Sequence, residues 1–308
     1  MNNMALSSEE LKQKAKQLRK MILTMIYKAQ SGHPGGSLSG ADIITALYFH
    51  TLRMDPENPR WEERDRFVLS KGHICPAQYC ALILRGVLDE EVLGTLRKEG
   101  SILQGHPDMK RCPGIEISTG SLGQGISCAV GMAIAGKKDK KDYRVYTLLG
   151  DGECDEGQVW EAAQTASKHE LDHFTVIIDN NGLQNDGFTE DIMPTRDLEK
   201  KFEAFGFQTV RIDGHDMDQI TAALDFMETQ ENGKPKCIVC NTVKGKDVSF
   251  MENVAIWHGL APEMGQGRVI RVGVLDQFGE SAPYERLLAK NGITVEGICA
   301  HVRAFVGR

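Results

Sequence analysis

The residues with the clearest chemical potential are Asp151, within Gly150-Asp151-Gly152, and Asn181, within Asn180-Asn181-Gly182. A carboxylate oxygen and a carboxamide oxygen are hard donors. Magnesium and calcium take such donors, and magnesium commonly keeps phosphate oxygens among its remaining ligands. Asp151 would bring charge. Asn181 would bring a neutral oxygen, which avoids crowding a second anion against a diphosphate. Gly150 and Gly152 let the backbone turn sharply and approach phosphate closely. Gly-Asp-Gly alone is ordinary turn chemistry. Its pairing with Asn-Asn at the distance of one crossover is what points to a cation and a diphosphate.

Both residues follow apolar runs, 144–149 and 174–179, that read as buried parallel strands. Residues 156–169 between them have helical spacing. A right-handed crossover places both strand ends on one edge of the sheet, where ligands of open α/β sheets bind. Further helical patterns cover 8–30, 40–52, 75–99, 122–136, 195–205 and 216–230, and further strand patterns cover 66–70, 208–213 and 236–243. Ser7 with Glu10 reads as a capping box for the first helix. The alternation predicts an α/β fold, a parallel sheet flanked by helices on both faces. Gly32 to Gly36, Gly182 to Gly187 and Lys244 to Ala261 read as loops at the sheet edge. A composition break at Met264 to Arg268 precedes a strand at 269–274 and helices at 283–290 and up to Phe305. So small a segment cannot bury much surface alone. The predicted organisation is a main domain, 1–262, and a tail, 263–308.

Four histidines in glycine-bearing loop motifs are the candidates for chemistry: His33, His73, His106 and His258. Such side chains can donate to phosphate or substrate oxygens and move protons near neutral pH. His50, His169, His173, His215 and His301 read as structural. Lys244 could neutralise a diphosphate as a point charge or stand as a solvated loop lysine. Glu156 opens a helix, where the dipole alone favours a carboxylate.

The bulk properties exclude several classes. Lys plus Arg number 36 against 43 Asp plus Glu, a net charge of −7, and no basic stripe interleaved with aromatics is present. Nucleic acid is therefore not an expected partner. The start of the chain lacks a signal-peptide pattern, and the eight cysteines are scattered, which together lead us to expect reduced thiols and a cytoplasmic location. Cys237 and Cys240 lie in one strand pattern at a spacing that sends their sulfurs to opposite faces, against a zinc or redox pair. Residues 117–136 carry no charge but include five glycines, too little apolar content for a membrane span. Their small side chains suit a helix packed closely against a second subunit or within a crowded core. A homodimer is the expectation we attach to that helix.

In chain order, Ser31 to Gly35, Leu69 to His73, Gly105-His106-Pro107, Thr119 to Gly125, Gly150 to Gly157, Asp179 to Gly182 and Trp257 to Pro262 resemble the transketolases, specifically their diphosphate-binding half. The short length and the form Thr119-Gly120-Ser121-Leu122 are similar to split transketolases, whose halves are separate chains. The resemblance implies the thiamine diphosphate-binding fold, thiamine diphosphate and Mg2+ or Ca2+. Asp151, Asn181 and the carbonyl of Leu183 would ligate the metal. His73, Gly152, Lys244 and His258 would hold the diphosphate, and Gly120, Ser121 and Leu122 would contact the cofactor rings. His33, His106 and His258 would face a sugar phosphate and help move its hydroxyl protons. Glu156 would lie at the dimer contact, near the activating glutamate of the facing domain. The implied reaction moves a two-carbon ketol unit between a ketose phosphate and an aldose phosphate, with the cofactor as electron sink.

Two departures bear on this. Ser121 stands where relatives often have proline, and Gly36 where some have serine. The tail, at Arg271 to Ser281 and Leu287 to Thr294, is similar to the end of the family's third domain, yet here it nearly adjoins Pro262. The resemblance therefore implies that the pyrimidine-binding domain is absent and that a complementary pyrimidine-domain chain is needed. The competing expectations are a non-catalytic cofactor-binding or dimerising deletion variant, and another thiamine diphosphate enzyme such as a deoxyxylulose phosphate synthase.

Overall fold

Residues Val145–Gly150 are buried without exception, so this strand has no polar face and must be covered on both sides. The computed structural model, which describes residues 6–262 and Ala300, shows how. The elements run α1 (Ser8–Ala29), α2 (Pro34–Ser39), α3 (Ala41–Ala46), β1 (Arg66–Leu69), α4 (Cys75–Leu84), α5 (Gln124–Lys138), β2 (Val145–Gly150), α6 (Gly157–Lys168), β3 (Phe174–Asn180), α7 (Thr189–Ile192), α8 (Leu198–Ala204), β4 (Gln208–Asp213), α9 (Met217–Glu228) and β5 (Lys236–Asn241). The strands form one parallel sheet in the order β1-β2-β3-β5-β4. Alternate strand residues serve opposite faces. Tyr146, Leu148, Ile177 and Ile238 pack with α1, α3, α4 and α9. Val145, Leu149, Val176, Ile178 and Val239 pack with α5, α6 and α8. Cys237 and Cys240 fall on the two different faces, as their spacing requires.

The Ser7–Glu10 capping box is present, with Ser7 N donating to Glu10 Oε2 at 2.8 Å. Two sequence expectations are corrected. The helix read over 75–99 stops at Leu84, because Gly86 takes a left-handed φ of 78° and supplies the N–H that closes the last turn on Ile83. The loop read at Gly32 to Gly36 gives way to α2 at Pro34, a residue suited to a first helical turn because it has no N–H to leave unpaired.

On the 117–136 segment, one face of α5 is core-packed: a Cβ on Gly125 would lie 2.7 Å from the Ser70 Cα. The other face is open: a Cβ added at Gly131 would meet nothing within 4 Å beyond its own helix, and Cys128 is exposed. Among the described residues no helix is long and apolar enough to cross a membrane. The chain divides into two units, Met1–Pro262 and Glu263–Arg308. The strand and helices expected in 263–308 lie outside the described residues.

Candidate active site

Because all strands are parallel, the ends of β1, β2, β3 and β5 share one edge. Pairing of Gly150 with Asp179 sets the β2 and β3 tips level, so Asp151 and Asn181 emerge side by side. Asp151 is buried. Its Oδ1 accepts from Gly152 N at 2.9 Å and its Oδ2 from Gly182 N at 2.6 Å, the latter a direct tie between the two tips. Burial pushes its pKa up to about 6, with Lys71 opposing and Asp179 adding to the rise. Asn181, also buried, accepts from Leu183 N at 3.1 Å through Oδ1.

Lys244, on the loop after β5, is drawn to the same place. Its Nζ donates to the carbonyl of Leu183 at 2.7 Å and of Gln184 at 3.2 Å, and lies 2.6 Å from His258 Nδ1. Burial, and then the nearby Lys71 charge, lower its pKa to about 7. The loop is anchored by Gly245 N donating to Gly35 O at 2.9 Å and by Val243 N donating to His215 Nε2 at 2.8 Å.

His33, His73 and His258 form a cluster with ring centroids 5.1 to 5.5 Å apart. Burial and then neighbouring positive charge keep all of them neutral. His33 is lowered to about 4, His258 to about 3, and His73 falls well below its ordinary value. The buried Nδ1 of His33 has no hydrogen-bond partner. His106 stands apart at the exposed rim. Its ring fills the space beside Gly120, whose φ is 146° and whose added Cβ would lie 2.9 Å from it. Gly72 brings the 119–122 segment against β1, since a Cβ there would lie 2.8 Å from Gly120 N. Ser121 is exposed and Leu122 half-buried on that segment.

Glu156 is exposed at the start of α6, beside Gly123. The structure does not bring it to the histidine cluster. The acid that is built in is Glu153, three residues earlier. It is buried and accepts from Ser70 Oγ at 2.5 Å, Gly123 N at 2.9 Å and Gly150 N at 3.1 Å, tying β1, α5 and β2 together. The sequence reading passed over it, and over Asp179 and Lys71, an ion pair at 2.7 Å beneath the site with both partners buried. The available signal was position: Lys71 and Asp179 end or follow strand runs on the ligand edge.

A carboxylate, a carboxamide oxygen and a carbonyl oxygen on adjacent tips fit a hard cation. Neutral imidazoles and a lysine beside them fit a polyanion. The family described as "Transketolase, thiamine diphosphate binding domain" matches residues 11–271. The chain belongs to the transketolase family. A 6-deoxy-6-sulfo-D-fructose transketolase subunit, SqwG, of Clostridium sp. (strain MSTE9) is 47% identical over 82% of this chain and 91% of its own length. One subunit of the apulose-4-phosphate transketolase of Phocaeicola vulgatus is 43% identical over 84% of this chain and 91% of its own. The solved transketolase of Campylobacter jejuni superposes with a TM-score of 0.79 at 37% identity, covering 83% of this chain but 41% of that one. The chain thus spans about two fifths of that transketolase and nearly all of the transketolase subunits. It carries the thiamine diphosphate-binding domain of a transketolase and resembles the split-subunit form.

Proposed function

We propose that this chain is the cofactor-binding subunit of a two-chain transketolase that moves a two-carbon ketol unit between sugar phosphates. The observation that carries the reading is the junction of the β2 and β3 tips, where Asp151, Asn181 and the Leu183 carbonyl lie beside Lys244 and the histidine cluster. Those oxygens would hold Mg2+ or Ca2+. Lys244, Gly152, His73 and His258 would hold the diphosphate, and Gly120, Ser121 and Leu122 would lie along the rings. The cofactor, when bound, supplies the electron sink for carbon–carbon cleavage. His33 and His258, held neutral, are fit to accept or return hydroxyl protons of a sugar, and His106 reaches it from the rim.

The partner would supply the pyrimidine-binding domain. Exposed Phe188, Ile192 and Met193 on one site loop, and Phe250 and Val254 on the other, support a macromolecular contact there. Glu156, exposed beside Gly123, would meet such a partner. We further propose that the active form contains two copies of this chain in the cytoplasm, and that 1–262 works as one domain with 263–308 as an appended tail. The test is a ketol-transfer assay with the chain alone and with an added pyrimidine-domain chain, together with calorimetric titration with thiamine diphosphate and Mg2+. Full activity from the chain alone would refute dependence on a partner, and absence of cofactor binding would refute the reading altogether.

A further inference from the structure

Asp179, at the end of β3, is fully buried. Its Oδ2 accepts from Ser39 Oγ at 2.6 Å and from Lys71 Nζ at 2.7 Å, and its Oδ1 accepts from Thr242 Oγ1. An ammonium and two hydroxyls around one carboxyl group leave it ionised and able only to accept. Ser39 Oγ has a single proton. On one side it faces this carboxylate and the carbonyl of Gly36 at 3.1 Å, neither of which donates. The proton therefore goes to that side, and the oxygen is left to accept. The group opposite is the Asn181 amide, with Nδ2 at 3.1 Å. Ser39 is fully buried, so no solvent competes for the position. At the other end of the same amide, Oδ1 accepts from Leu183 N. Two contacts of opposite sense thus specify one orientation of a group whose oxygen and nitrogen are otherwise interchangeable in shape.

We infer that Ser39, with its proton held by Asp179, is a positioning residue that fixes which end of the Asn181 amide is turned to the cation. The inference rests on the cofactor reading above. Without the Ser39 oxygen, the amide is free to rotate and turn its NH2 toward the metal position, where a donor repels. Partners one shell out from a metal ligand typically govern affinity by about 10-fold or more.

The experiment measures free Mn2+ by electron paramagnetic resonance during titration of the full chain at saturating thiamine diphosphate. Ser39→Ala is expected to weaken Mn2+ binding about 10-fold. In an Asn181→Asp background the ligand has two equivalent oxygens and no orientation to lose. There, Ser39→Ala is expected to change Mn2+ affinity less than about twofold, since no amide remains to be oriented. Equal losses in both backgrounds would mean that Ser39 acts only through packing and would overturn the inference, as would no loss in the Asn181 chain. Should Ser39→Ala fail to fold, Ser39→Cys, close in size and a poor acceptor, carries the same comparison. No Mn2+ binding by the unaltered chain would overturn the cofactor reading and this inference with it, whereas tight binding indifferent to Ser39 would overturn this inference alone.

Discussion

Asp151 should make the cation-free protein less stable as pH rises, and Asp151→Asn should remove that dependence. The carboxyl group meets backbone N–H groups of Gly152 and Gly182, and burial first, then Asp179, raise its pKa from 3.8 to about 6 against the pull of Lys71. Between about pH 4 and pH 6 the folded chain keeps a proton that the unfolded chain has released, so stability falls as pH climbs through that window. Above it, the ionised group costs about 3 kcal/mol, at about 1.4 kcal/mol for each tenfold change in proton affinity. Asparagine is neutral throughout and nearly the same shape. Urea unfolding of the cation-free parent and variant should give a parent-minus-variant stability that drops by about 2 kcal/mol between about pH 4.5 and about pH 7. Mg2+ with thiamine diphosphate should then stabilise the parent more than the variant, which lacks the charged ligand for the cation. A difference that stays flat, or rises with pH, would refute the reasoning, because it would mean that Asp151 is already compensated in the cation-free chain.

Thiamine diphosphate binding should take up roughly 0.7 proton at about pH 7.5, because a phosphate lifts Lys244 from about 7 to well above it. Calorimetry in buffers of different ionisation heat measures this, and Lys244→Met should abolish it. His215→Ala should cost about 1–3 kcal/mol and weaken cofactor binding, since it strips a partner from buried Asp42 and frees Val243 N beside Lys244. Melting and titration of the same variant test both parts. Gly72→Ala would set a Cβ 2.7 Å from Thr119 Oγ1, and should cost about 1–3 kcal/mol by denaturant unfolding. Gly131→Ala, with nothing in reach, should instead stabilise the isolated chain by about 0.5–1 kcal/mol.

What was legible in the chain followed from local rules. Strand runs fully buried on both faces, such as Val145–Gly150, announced a parallel sheet, and the spacing from Asp151 to Asn181 announced one crossover. The site residues that could be named were those whose type is odd for their setting: histidine beside glycine, carboxamide after an apolar strand. The supporting groups were not legible. Glu153 sits in an acidic, turn-forming stretch that reads as exposed, and only the approach of α5 to β1 at Gly125 buries it against Ser70. Lys71 and Asp179 are far apart in sequence and become a pair only because β1 and β3 flank β2. The strand order itself, with β5 inserted between β3 and β4, has no local sign. It matters because it places the Lys244 loop directly beside the β3 tip and not at the sheet edge.

That placement sets two opposite charges near each other without joining them. Asp151 is held on the N–H groups of Gly152 and Gly182, while Lys244 is held on the carbonyls of Leu183 and Gln184. Each is buried, and each has its pKa moved toward neutrality by that burial. A cation alone would satisfy Asp151 and sharpen the excess of positive charge around Lys244. A diphosphate alone would satisfy Lys244 and crowd Asp151. Only the two together neutralise both, so their binding should be strongly cooperative. By reciprocity the cation must raise cofactor affinity by the same factor as the cofactor raises cation affinity, a coupling of about 10-fold to 100-fold for charges this close. Titrations in both orders measure the factor twice. Asp151→Asn should abolish it, because the neutral side chain no longer opposes the diphosphate when the cation is missing. If cofactor affinity in the unaltered chain proved independent of Mg2+, the separated charges would have some other purpose, and the metal-ligand assignment of Asp151 would fall.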